Sequence, residues 1–161
     1  MSVTNVQTDP GAKTLTLTAD FDAPVARVWE MWADPRRLER WWGPPSYPAT
    51  FVEHNLAPDG RMLYYMTSPE GERHYGWWRV RSVSEPHKLE FEDGFADENG
   101  APNDQLPVTV SRVTITEEGN GTRMTIESNF PSTEAMQEMI KMGMQEGLTE
   151  AVNQIDALLS S

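Results

Sequence analysis

Apolar and polar residues alternate from Thr14 to Phe21: Leu15, Leu17, Ala19 and Phe21 hold one parity, Thr14, Thr16 and Thr18 the other. A period of two predicts a half-buried strand there. The period then changes. After Asp22-Ala23-Pro24, residues Val25, Val28, Trp29 and Trp32 fall at i, i+3, i+4 and i+7, the spacing of one helix face. Asp34-Pro35 repeats the start signal and Gly43-Pro44-Pro45 supplies a stop, so a second short helix is expected, with Leu38, Trp41 and Trp42 on its buried side.

From Tyr47 to Phe130 the pattern is that of strands separated by turns. Asp59-Gly60, Glu70-Gly71, Ser84-Glu85-Pro86 and Gly119-Asn120-Gly121 punctuate it. Strands are expected over residues 50–56, 61–67, 75–83, 89–95, 108–116 and 122–130, which makes about seven with the first; joined by such short turns they must be antiparallel. A polar connection, residues 96–107, interrupts the series. The chain closes on an apolar stripe from Met136 and Met139 through Gly143, Gly147 and Leu148 to Leu159. Pro131-Ser132 caps it and Glu134 suits its first turn, so one helix over residues 133–159 is expected, about 27 residues and roughly 40 Å long. Residues 1–13 are read as a flexible N-terminal segment and 14–161 as a single domain. The fold class is therefore α+β, a curved antiparallel sheet around a long C-terminal helix, with two short helices after the first strand.

The segment Phe21-Asp-Ala-Pro-Val-Ala-Arg-Val-Trp-Glu-Met-Trp-Ala-Asp-Pro35 resembles the opening signature of the SRPBCC, or START-like, superfamily. Trp41-Trp42-Gly43-Pro44, Gly76-Trp77-Trp78-Arg79-Val80, Gly94-Phe95-Ala96-Asp97, Gly121-Thr122-Arg123-Met124 and Met142-Gly143-Met144-Gln145-Glu146-Gly147 resemble its activator-of-heat-shock-protein-90-ATPase-like branch, in the same order. Each motif alone is weak; their order and spacing, from Leu15 to Leu159, are specific. The resemblance implies the helix-grip fold and a cavity between the sheet and the last helix. It leaves activity open, since a fold hosts many functions.

Within such a cavity the residues expected to meet a ligand are Trp32, Trp41, Trp42, Tyr64, Met66, Trp78, Phe91, Phe95, Met139, Gly143 and Gly147. Six tryptophans and nine methionines suit an apolar site of variable shape, and equally a plain core. Trp77 and Trp78 are adjacent in a strand, so one of them faces away. Gly143 and Gly147 leave either room for a ligand or a close approach of helix to sheet. A small apolar or amphipathic molecule is thus the first partner expected. A co-chaperone-like module is the second reading, with Trp41, Trp42 and residues 96–107 as an exposed patch and a chaperone as partner. A cyclase-like or hydrolytic enzyme is the third. It needs a titratable group inside the cavity, for which Glu53, His54, Arg79 and Asp93 are the candidates.

Composition narrows the field. The three histidines, His54, His74 and His87, have no paired ligand spacing, and no cysteine is present, so no metal site, disulfide or cysteine nucleophile is expected. Asp97-Glu98-Asn99-Gly100 places its glycine too early for a calcium loop and reads as a turn. No glycine-rich phosphate loop occurs and no cofactor is expected. A net charge of −12 opposes nucleic acid and anionic membrane surfaces. No apolar run approaches the roughly 20 residues of a membrane helix, and the polar start lacks a secretory signal, so a cytoplasmic protein is expected, monomer or homodimer.

Overall fold

In the computed structural model, which describes residues 3–160, the alternating segment forms strand β2 (Thr14–Phe21). Helices α1 (Val25–Ala33) and α2 (Pro35–Trp41) follow it. Pro24 caps α1, one position earlier than its expected place inside the helix. The Asp34 carboxylate caps α2 by accepting from the Arg36 amide at 2.9 Å, with Pro35 at the first helical position. The meander then runs through β3 (Ala49–Glu53), β4 (Arg61–Thr67), β5 (Arg73–Ser84), β6 (Lys88–Ala96), β7 (Thr109–Glu118) and β8 (Gly121–Asn129).

Two expectations are corrected. The N-terminal segment expected to be flexible forms β1 (Val3–Asp9), paired antiparallel with β2, while Met1, Ser2 and Ser161 lie outside the described residues. The sheet therefore has eight strands, in the order β1-β2-β8-β7-β6-β5-β4-β3. β1 escapes a hydrophobic reading because only Val3 and Val6 are half-buried; backbone pairing, and the Val3 amide donating to Asn153 Oδ1 at 3.0 Å, hold it.

The second correction concerns the C-terminal helix. The stripe is divided into α3 (Thr133–Lys141), α4 (Met144–Asn153) and α5 (Ile155–Leu159). Gly143 has φ 95°, a left-handed conformation that ends α3 and starts α4. The apolar spacing continues across the break, which is why it reads as one helix. At the second break the Gln154 side chain donates to the Gly43 carbonyl at 2.7 Å, fastening the C-terminal layer to the end of α2.

Inward residues form rows across the curved face. Met62, Trp78, Asp93 and Thr109 make one row; Val80, Phe91, Ser111, Ser128 and Leu15 the next; Leu89, Val113, Ile126 and Leu17 a third. A large core holds α1 and α2 on this face together with Ala151, Val152 and Ile155. A smaller cluster of Leu15, Phe130 and Met136 gathers Met139, Ile140, Met144 and Leu148. No helix among the described residues is long and apolar enough to cross a membrane.

Candidate functional site

Between the two clusters the C-terminal layer does not close onto the sheet. A cavity of about 310 Å³ remains, walled by Trp42, Tyr64 and Ile126 on the side of the large core and by Met139, Met144 and Leu148 on the other. Met142 and Gly143 line it at the helix break, and Met142 is 59% exposed, so the cavity reaches the surface there.

Of the residues expected to meet a ligand, Trp42, Tyr64, Met66, Phe95, Met139, Gly143 and Gly147 line this space. Trp32, Trp41, Trp78 and Phe91 do not; they are fully buried in the core behind it. Trp78 stacks on Phe91 at 3.9 Å between centroids, Trp32 meets Trp41 edge to face at 4.8 Å, and Trp41 Nε1 donates to the Met31 carbonyl at 2.8 Å. Trp42 joins them, edge to face with Trp78 at 4.7 Å. With Trp41 at 0% and Trp42 at 8% exposure, neither indole is available for the exposed patch of a co-chaperone reading. Trp77 takes the outer face, where its indole lies across Gly94.

The titratable candidates separate just as clearly. Arg79 points outward to Asp59 and Glu53 is exposed beside Arg61. A bulge between Phe51 and Glu53 ends the inward parity of β3 before it reaches Glu53. His54 follows that strand and its Nε2 lies 3.1 Å from the Trp32 carbonyl, a contact that ties α1 to the β3 end. Asp93 alone of the four lines the cavity.

Asp93 Oδ1 accepts a hydrogen bond from the Tyr64 hydroxyl at 3.1 Å. Burial pushes the Asp93 carboxyl up to about 7, against the Tyr64 hydrogen bond, which lowers it. Burial and the neighbouring Asp93 charge push the Tyr64 phenol well above its usual range. Tyr64 reaches Asp93 because its ring crosses Gly76 on the neighbouring strand; a Cβ at Gly76 would lie 2.4 Å from the phenol oxygen. The indole N–H groups of Trp42 and Trp78 face the same oxygen and lower the phenol pKa, yet neither closes to hydrogen-bond geometry with a protein atom.

Three hydroxyls complete a polar strip that the sequence reading missed. Thr109 is paired with Asp93 across β6 and β7, and Ser111 with Ser128 across β7 and β8. All three residues line the cavity, and the buried Thr109 hydroxyl, in a residue 4% exposed, has no hydrogen-bond partner among the described residues. Parity could have found them, because Val113 and Ile115 fix the inward face of β7, and Met124 and Ile126 that of β8.

Gly143 and Gly147 differ in what they do. A Cβ at either would meet no atom within 4 Å, so close packing of helix on sheet is not their role. Gly143 is required by its positive φ. Gly147, inside α4 and on the cavity wall, contributes volume.

No group of three or more His, Cys, Asp or Glu side chains among the described residues could hold a metal ion. In the 96–107 connection, Asp97 Oδ1 instead accepts from the Asn99 and Ala101 amides, both at 2.9 Å, closing the turn.

An eight-stranded antiparallel sheet gripping a C-terminal helical layer defines a helix-grip domain of the START-like class. The chain belongs to the activator of Hsp90 ATPase homolog 1-like family, whose model matches residues 22–160. A crystal structure of a Mycobacterium smegmatis protein is 52% identical, with TM-score 0.91, covering 98% of this chain and 96% of that one. A solution structure of an Arthrobacter aurescens protein is also 52% identical, with TM-score 0.95 and coverage of 99% and 92%. A Staphylococcus epidermidis protein at 24% identity and TM-score 0.85, covering 98% and 94%, shares the fold. Comparison with curated proteins gives no match.

Proposed function

We propose that the domain binds a small amphipathic molecule in the cavity between its sheet and its C-terminal helices. The observation that carries this reading is an apolar cavity of about 310 Å³ with Asp93, Ser111 and Ser128 on its floor. A ligand's polar end would satisfy these groups while its body covers the apolar wall. Methionines and a glycine on the helical wall suit a hydrocarbon or aryl body, and the Asp93 strip its polar end.

The family description favours contact with a chaperone as an alternative, but the aromatic pair expected to form its surface is buried. An enzyme using the cavity would rely on Asp93, the only one of the four titratable candidates inside it.

The test is uptake of N-phenyl-1-naphthylamine, a neutral fluorescent probe, alongside native mass spectrometry of the purified protein. Saturable binding that is lost in Gly147→Leu, which fills the cavity, is expected. Binding unaffected by that substitution, or no binding together with no co-purifying compound, refutes the reading.

A further inference from the structure

The polar strip is built on one side of the charge scale. Among the described residues, Asp93 is the sole charged side chain lining the cavity; no Lys, Arg or His reaches it. Only Oδ1 of Asp93 is engaged, by Tyr64, and its second oxygen accepts no hydrogen bond. The Ser111 and Ser128 hydroxyls stand on the same floor, in residues 5% and 1% exposed. Trp42, Tyr64 and Phe95 surround this floor with ring edges and faces.

We propose, resting on the binding reading above, that the ligand is a primary amine on an apolar body, its ammonium seated on the Asp93 carboxylate. An ammonium carries three donors and no acceptor, and the free carboxylate oxygen and the hydroxyls of Ser111 and Ser128 are acceptors. A cation also offsets the Asp93 charge, which no Lys, Arg or His on the cavity wall neutralises, and gains from the aromatic rings around it. An anionic head would meet Asp93 with like charge in a place where water screens poorly. Fatty acids and phosphorylated lipids are therefore the wrong chemistry for this floor. The acidic surface, net charge −12, acts in the same direction by drawing cations toward the mouth.

Matched eight-carbon probes test this by competition with N-phenyl-1-naphthylamine at pH 8, where octylamine is a cation, octanoate an anion and octanol neutral. Octylamine is expected to compete about tenfold or more better than octanol, the range of a hydrogen bond to a charged group, and octanoate worst. In Asp93→Asn, which keeps the size of the side chain, the preference of octylamine over octanol is expected to vanish. Thermal unfolding of that variant establishes that it is folded, and the wild-type ranking stands as a test without it. Octanol or octanoate competing as well as octylamine overturns the amine assignment and leaves the binding reading intact. Failure of the fluorescent probe to bind, together with no co-purifying compound, removes both.

Discussion

Residues with the same identity serve opposite ends in this domain, and substitution separates them. Gly143 sits at φ 95°, where an alanine Cβ clashes with its own backbone. Gly143→Ala is expected to lower stability by about 1 kcal/mol, read as the midpoint of urea unfolding. Gly147 is an ordinary helical glycine with open space beside it, so Gly147→Ala is expected to raise stability by up to about 1 kcal/mol in the same experiment. Thr109 gives a third outcome. Its hydroxyl is buried and unmet, and Thr109→Val, similar in shape, is expected to leave stability unchanged or raise it by about 1 kcal/mol. The inward faces of β4 and β6 are legible in the sequence, because Tyr64 and Met66 share a parity, as do Leu89, Phe91, Asp93 and Phe95. Thr109, Ser111 and Ser128 are harder to read: a hydroxyl on a strand looks like surface until the parity of its neighbours is followed to the end of the strand. Trp32, Trp41, Trp78 and Phe91 are misplaced for another reason. A large aromatic residue has the same sequence signature whether it walls a cavity or fills the space behind it.

At the scale of elements, turn chemistry carries most of the information. Asp59-Gly60 and Gly119-Asn120-Gly121 bracket their strands closely, and Asp34 and Ser132 cap the helices they precede in the sequence. What has no such signal is an element held by backbone pairing. β1 shows two half-buried valines among polar residues, yet it covers the edge of β2. Removing residues 1–9 is expected to lower stability by about 2 kcal/mol through the loss of Val3 and Val6, and to promote association through the bared edge. Urea unfolding and light scattering measure the two effects; a truncated protein as stable and as monodisperse as the full chain would contradict both. The break at Gly143 is invisible to periodicity because the residues on either side keep the same apolar face. Only the conformational preference of glycine marks it.

For the whole molecule, the buried acid makes stability depend on pH. Asp93 titrates at about 7 in the folded protein and near 3.8 as an ordinary aspartate. Between those values the folded state holds a proton that the unfolded state has released, so the contribution of Asp93 to stability is complete below about pH 4 and declines as pH rises to about 7. The loss is at most on the order of 4 kcal/mol, from about 1.4 kcal/mol per pKa unit. Tyr64, the other titratable group on the cavity floor, stays protonated throughout. Asp93→Asn is expected to flatten the decline, measured as the urea midpoint between pH 4 and pH 8. A wild-type protein with the same slope as the variant would show that Asp93 is not the group responsible.

The strand order also sets a timetable for assembly. β3 to β8 follow one another in the sheet as in the sequence, so each can pair with the strand made just before it. β2 is different. Its partner is β8, and the ion pair between them joins Asp20 to Arg123, 103 positions apart. During synthesis the β1–β2 hairpin is exposed while nearly the whole meander is still to be made, with its inner edge unpaired. The helices that roof the cavity come last of all. A molecule bound in this cavity would therefore find its place only after the longest loop in the sheet has closed, and the open edges of the unfinished sheet are exposed to association in the interval before that closure.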